Sequence, residues 1–203
     1  MKFITYNHHD TTQTGVLDAE TNTITPLDGD QDLLTVIASG TTSDIRLSNT
    51  TLSLSDVELL APIPRPRRNI FCIGRNYLDH AKEFADSGFD ATARDSHIPD
   101  YPVVFTKAPS TVIATGDDID PHLNLTKALD YEAELGVIIG TGGRGITKEQ
   151  AMDHVWGYTN INDVTARDMQ KKHAQWFLGK SLDTHCPMGP WAVTRDEDRK
   201  SVV

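Results

Sequence analysis

Cysteine is scarce. Only Cys72 and Cys186 occur in 203 residues. One possible disulfide is no secreted framework, so a reducing compartment is expected. Long apolar runs are missing too. The longest, at 135–139, contains Gly136 and falls far short of the roughly 20 residues of a membrane span. The opening MKFITYNHHD has no apolar h-region, so no secretory leader is expected and a cytoplasmic setting is. Basic residues are in deficit: 19 Lys plus Arg face 29 Asp plus Glu, a formal charge of -10. That balance argues against nonspecific nucleic-acid binding and against anionic membrane surfaces. There is no internal repeat and no low-complexity tract.

What remains is a globular composition, 38% hydrophobic, in a chain long enough to bury a core without disulfides or a structural metal. Length over about 150 allows one to two domains. Residues 1–60 are rich in Thr, Ser and Asp, with short strand-like runs such as KFITY and TNTITPL. One short helix fits 30–39, with Gly40 as its stop. APIPRPRRN then reads as an extended linker, because proline removes backbone donors and disfavours helix before it. The boundary falls at 62, giving a small N-terminal α+β domain (1–62) and a second unit (63–203).

In the second unit NIFCIG, PVVFTK, LDYEAELGVIIG, WGYTNIND and MGPWAVT read as strands. YLDHAKEFADSG, 147–155 and TARDMQKKHAQ read as helices, the middle one with Thr147 and Gln150 spaced as a capping box. Residues 89–100 read as a loop. Strands outnumber the short helices, which points to a β-rich α+β fold and not to a doubly wound sheet.

Glu132 and Glu134 stand two apart in an apolar strand candidate, and such residues share a face. Paired buried carboxylates repel and lose hydration, costs that a divalent cation offsets. The spacing suits two ordinary solvent-facing glutamates equally well. Asp163 lies where a strand meets a helix. It adds a third carboxylate toward a hard, oxygen-rich site for Mg²⁺, Mn²⁺ or Ca²⁺, or else serves as an N-cap. Asp163, Arg167 and Gln170 share a helical face by spacing. His80 and Glu83, at i and i+3, suit either a general base oriented by a carboxylate or a surface ion pair. Lys180, in WFLGKSLD, is either a buried clamp for an oxyanion or a solvated turn lysine. GTGGRG lacks the phosphate-loop pattern and reads as a turn. Arg65, Arg67 and Arg68 read as solvated linker charges.

Five segments in order, IGRNYLDHAKE, YPVVFTKAPST, LDYEAELGVIIG, HVWGYTNINDVTARDMQ and QWFLGKSLDTHCPMGPW, resemble the fumarylacetoacetate hydrolase family over about residues 70–193. The resemblance implies a mixed β-roll catalytic fold behind a small accessory domain, a homodimer, and bound Mg²⁺ or Mn²⁺. It places Glu132, Glu134 and Asp163 on the metal-binding carboxylates, completed by water because Ile73 lies where some members carry a fourth acid. His80 and Glu83 fall on the water-activating dyad, Lys180 on a catalytic clamp, Gln170 on a substrate contact, and Arg75 and Tyr77 on lid or substrate contacts.

The implied substrates are small 2-oxo or 1,3-diketo acids. Hydrolysis of a carbon–carbon bond is the leading expectation; oxaloacetate-type decarboxylation and hydroxydienedioate isomerisation are the alternatives. Members of the family continue past PMGPW with further strands and a T-G-T-P-type loop, so a catalytic domain incomplete at its C-terminus is expected. The rival reading is an impaired relative that binds metal or a partner chain. A paired-carboxylate glycosidase is disfavoured, because Glu132 and Glu134 share one strand face instead of flanking a bond.

Overall fold

β-branched and aromatic residues dominate KFITYNH, and they build the central strand of the molecule. The computed structural model describes residues 1–29, 31–76, 101–173 and 175–198. In chain order the strands are β1 (Lys2–His8), β2 (Thr11–Asp18), β3 (Thr23–Pro26), β4 (Leu52–Ser53), β5 (Glu58–Leu60), β6 (Ile70–Gly74), β7 (Val103–Lys107), β8 (Val112–Ile113), β9 (Leu129–Asp130), β10 (Ala133–Ile139), β11 (Val155–Asn162), β12 (Thr165–Ala166), β13 (Cys186–Pro187) and β14 (Ala192–Thr194). His9 and Asp10 both take positive φ, 48° and 60°, so the β1–β2 hairpin closes through two left-handed residues.

The main sheet runs β10-β11-β14-β1-β2-β3-β4, and β5 pairs β1 as well. It crosses position 62, since Lys2 of β1 faces Val193 of β14. Helix α1, Leu33–Ser39, is capped by Asp32, whose side chain accepts from the Thr35 N–H at 2.7 Å. It ends at Gly40, in the left-handed region at φ 71°, the stop read from the sequence. Its Leu33, Val36 and Ile37 pack with Phe3, Ile138 and Trp156 in one cluster, which ties the first sixty residues to β10 and β11.

Three small pairings lie beside this sheet: β6 with β7, β8 with β13, and β9 with β12. The sheet-rich α+β architecture and the strands read in NIFCIG, PVVFTK and WGYTNIND are present. Four elements differ from the reading. MGPWAVT is a strand only at Ala192–Thr194, and TARDMQKKHAQ opens as β12 and is helical only over Arg167–Lys172. LDYEAELGVIIG is not one strand. It breaks at Tyr131 and Glu132, because β9 pairs β12 while β10 pairs β11. Its apolar residues Leu135, Val137 and Ile139 are exposed, whereas Ile138 is buried. The expected helix at 147–155 is a single 3-10 turn, Ala151–His154. Val155 is already paired with Ile139, so only one turn fits, although Gln150 Oε1 still accepts from the Thr147 N–H at 3.4 Å. The expected helix YLDHAKEFADSG and the loop at 89–100 lie outside the described residues.

Candidate active site

The break before β10 creates the site. Released from a continuous strand, Glu132 lies alongside residues 163–165. Its carbonyl accepts from the Asp163 N–H at 2.8 Å, and its own N–H donates to Asn162 Oδ1 at 3.1 Å. Thr165 Oγ1 donates to the Asp163 carbonyl at 2.9 Å, fixing the turn after β11. Helix α2, Arg167–Lys172, starts one residue past β12 and sends Arg167 back over the carboxylates. Arg167 Nη2 reaches Asp130 Oδ2 at 2.9 Å and Glu132 Oε1 at 2.5 Å, and Nη1 reaches Gln170 Oε1 at 3.1 Å.

Two lysines complete the cluster. Lys180 ends the short helix α3, Phe177–Lys180, with its side chain 2% exposed. Its Nζ donates to Glu132 Oε2 at 2.5 Å and to Asp163 Oδ2 at 2.7 Å. Gly179 permits this approach: a Cβ there would meet the Gln170 backbone nitrogen at 2.6 Å. Lys107, at the end of β7, is fully buried. It donates to Asp163 Oδ1 at 2.7 Å, to the Val164 carbonyl at 3.1 Å and to the Lys180 carbonyl.

Every carboxylate oxygen of Glu132 and Asp163 therefore faces a cationic nitrogen. With Asp130, three negative and three positive groups meet, which is the condition for burying charge without prohibitive cost. Burial pushes the Asp163 carboxyl up, but the Lys180 and Lys107 ammoniums outweigh it and hold the group below the usual carboxylate range.

These contacts decide among the sequence readings. Asp163 is no N-cap, since Ala166 precedes α2 without a side-chain cap bond. The Glu132 side chain is 11% exposed, not solvent-facing, and Lys180 is no turn lysine. Glu134 sits on β10 opposite Ile161 and lines the same cavity, of about 770 Å³, as Glu132, Asp163, Lys180, Gln170 and Arg75. Among the described residues, no group of three His, Cys, Asp or Glu side chains is gathered as a metal cage. The same-face argument for Glu132 and Glu134 fails because Glu132 precedes the strand. Even so, Glu132 and Asp163 aim one oxygen each at a common cation position, and all-oxygen donors suit Mg²⁺ or Mn²⁺.

Tyr77, His80 and Glu83 lie outside the described residues. Arg75 holds a left-handed backbone, φ 57°. Lys107 had no separate reading in the sequence; its only signal is a charged residue closing the apolar strand VVFTK.

Cys72 also lines the cavity. Burial pushes its thiol up to about 12, and burial pushes Cys186 up to about 11. Both should stay protonated at pH 8 and inert, because the thiolate is the nucleophile. A thiol-reactive disulfide dye at pH 8 should titrate no fast cysteine in the native chain and both after denaturation. Rapid native labelling of either would contradict this electrostatic picture.

Residues 69–202 match the family model described as fumarylacetoacetate (FAA) hydrolase C-terminal, and residues 1–62 match one described as Rv2993c-like, N-terminal. The chain is 55% identical over 141 residues to the oxaloacetate tautomerase YisK of Bacillus subtilis, covering 70% of this chain and 44% of that protein. Among solved structures, a fumarylacetoacetate hydrolase from psychrophilic Exiguobacterium antarcticum is 42% identical with a TM-score of 0.78; the match covers 97% of this chain and 67% of that one. A 2-hydroxyhepta-2,4-diene-1,7-dioate isomerase from Mycobacterium marinum is 27% identical with a TM-score of 0.70, covering 96% and 66%. The chain thus spans less than half the length of the curated relatives it matches.

Proposed function

The chain belongs to the fumarylacetoacetate hydrolase family, and we propose that it moves a proton between the enol and keto forms of a short 2-oxo diacid of the oxaloacetate type. The observation that carries this reading is the gathering of Lys180, Lys107 and Arg167 around Glu132 and Asp163. Such a preorganised charge cluster stabilises an enolate and needs no protein nucleophile. Similarity to the Bacillus subtilis tautomerase supports the choice of substrate class.

Glu132, Asp163 and Glu134 would hold Mg²⁺ or Mn²⁺, which when bound supplies Lewis-acid polarisation of the substrate oxygens. Arg167 and Gln170 orient the substrate carboxylate. Lys180 holds the oxygen on which negative charge develops. His80, oriented by Glu83, takes the enol hydroxyl proton, and the resulting imidazolium returns a proton to the adjacent carbon, directly or through one water; the carbonyl forms as the carbon–carbon double bond is lost and His80 ends neutral. Arg75 and Tyr77 are the proposed lid contacts.

Hydrolysis of a carbon–carbon bond is the second reading. It is favoured by the similarity to the Exiguobacterium antarcticum hydrolase and would use the same His80 to activate water. Proton NMR of oxaloacetate and of an acylpyruvate, with Mg²⁺ and the 203-residue chain, separates the two. Faster enol-to-ketone conversion, lost in Asp163→Asn, supports tautomerisation. Two new carboxylic acid products from the acylpyruvate support hydrolysis. Neither change, with a folded and metal-loaded chain, overturns both.

A homodimer is part of the proposal. Phe71, Ile73, Val104, Leu135, Val137 and Ile139 are exposed, and all but Val104 also line the cavity; self-association would cover this apolar lining. Light scattering should give twice the chain mass of 22.4 kDa. A monomer at micromolar concentration would remove the dimer from the proposal.

A further inference from the structure

We infer that the Lys180 ammonium and a divalent cation are alternative occupants of one position between Glu132 and Asp163, so that metal loading drives Lys180 out into the cavity. The inference rests on the reading of these two carboxylates as metal ligands and adds a coupling that the reading does not contain.

The geometry carries it. One nitrogen lies 2.5 Å from Glu132 Oε2 and 2.7 Å from Asp163 Oδ2, so it fills the point on which both oxygens converge. The two other oxygens are taken, Glu132 Oε1 by Arg167 and Asp163 Oδ1 by Lys107. A dication seated where Glu132 Oε2 and Asp163 Oδ2 converge takes the position that the Lys180 ammonium now fills, and the other two cations are held more firmly. Lys107 is fully buried and is also held by the carbonyls of Val164 and Lys180. Arg167 is also held by Asp130 and Gln170. Among the described residues, the hydrogen-bond acceptors of Lys180 Nζ are these two carboxylates alone. Its ammonium lies 5.0 Å from the centre of the Phe105 ring, and both residues line the cavity. Among the described residues, the departure of Lys180 gives up no hydrogen bond outside the exchange, only its approach to the Phe105 ring, and its four-carbon stem lets the head move into the cavity.

Two consequences follow. Without metal the carboxylates stay gathered and compensated, and with metal the released ammonium becomes available to an anionic substrate oxygen. Metal and anion binding are then positively linked through Lys180, by the same factor in each direction.

The test uses the full 203-residue chain and Mn²⁺ alone, followed by calorimetry and by electron paramagnetic resonance of free Mn²⁺. Lys180→Met keeps an unbranched side chain one atom shorter and removes its charge, and should bind Mn²⁺ at least tenfold more tightly than the wild type. Unchanged or weaker binding by a Lys180→Met chain that unfolds cooperatively overturns the inference. A second measurement needs no charge-removing variant: the lysine Cε resonances of ¹³C-lysine-labelled wild type on addition of Mg²⁺. The Lys180 signal, assigned by its loss in Lys180→Arg, should shift while that of Lys107 stays. A Lys180 signal that holds still at Mg²⁺ saturation also overturns it. Glu132→Gln separates the two failures. If Mn²⁺ affinity is the same in Glu132→Gln as in the wild type, the metal reading itself is wrong and the exchange falls with it. If Glu132→Gln loses Mn²⁺ but Lys180→Met does not gain it, only the exchange is wrong.

Discussion

Asp163→Ala should destabilise the chain by about 3–5 kcal/mol, the cost of breaking a buried ion pair and stranding its partners. Two buried ammoniums lose their shared acceptor at once: Lys107 at Oδ1 and Lys180 at Oδ2. Typical domains hold only about 5–15 kcal/mol, so this one change removes a large part of the total. Thermal melting should fall by about 6–20 °C for a chain of this size. The same group sets an acid limit. Its folded carboxyl is held below the ordinary value of 3.8, so its stabilising contribution is complete above that value and is lost as pH falls through the lower folded one. Asp163→Ala should therefore flatten the loss of stability below about pH 4. A melting temperature within 2 °C of wild type would show that the charge cluster contributes little to folding.

Lys107→Met comes next in size. The variant keeps the volume and removes three donated hydrogen bonds, to Asp163 Oδ1 and to the carbonyls of Val164 and Lys180. Each buried acceptor left without a donor costs about 1–3 kcal/mol, and the three are not additive, so about 3–5 kcal/mol in all is expected. Lys180→Met should cost less. Its partners Glu132 and Asp163 retain Arg167 and Lys107, and no main-chain acceptor is stranded. The ranking is a sharper test than either value. Urea unfolding that finds Lys180→Met more damaging than Lys107→Met would reverse the assignment of which lysine braces the site and which one exchanges.

That bracing lysine shows where a sequence is hard to read. VVFTK gives a strand from its β-branched and aromatic residues, but nothing local says that the closing lysine is wholly buried. Its partners lie 56 and 73 positions away, and the packing of β7 against α3 is what brings Lys180 to it. The carboxylates were legible because acids in an apolar stretch demand an explanation. Their arrangement was not. Two-residue spacing puts Glu132 and Glu134 on one face only in an unbroken strand, and the switch of partners from β12 to β11 breaks it at Glu132. Local elements bounded by strong signals were readable, as in Gly40 at the end of α1 and NIFCIG as β6. The short turn at Ala151–His154 was not, because its length is set by where β11 must begin.

Thermal unfolding with and without saturating Mn²⁺ tests the cation site most directly, on the wild type beside Glu132→Ala/Glu134→Ala. A ligand that binds only the native state stabilises it, by about 2.7 kcal/mol at one hundred times its dissociation constant. The wild type should show one cooperative transition raised several degrees by metal, and the double variant one that metal leaves unmoved. An equal rise in both chains, or a cooperative wild-type transition indifferent to Mn²⁺, would contradict a metal site at these carboxylates.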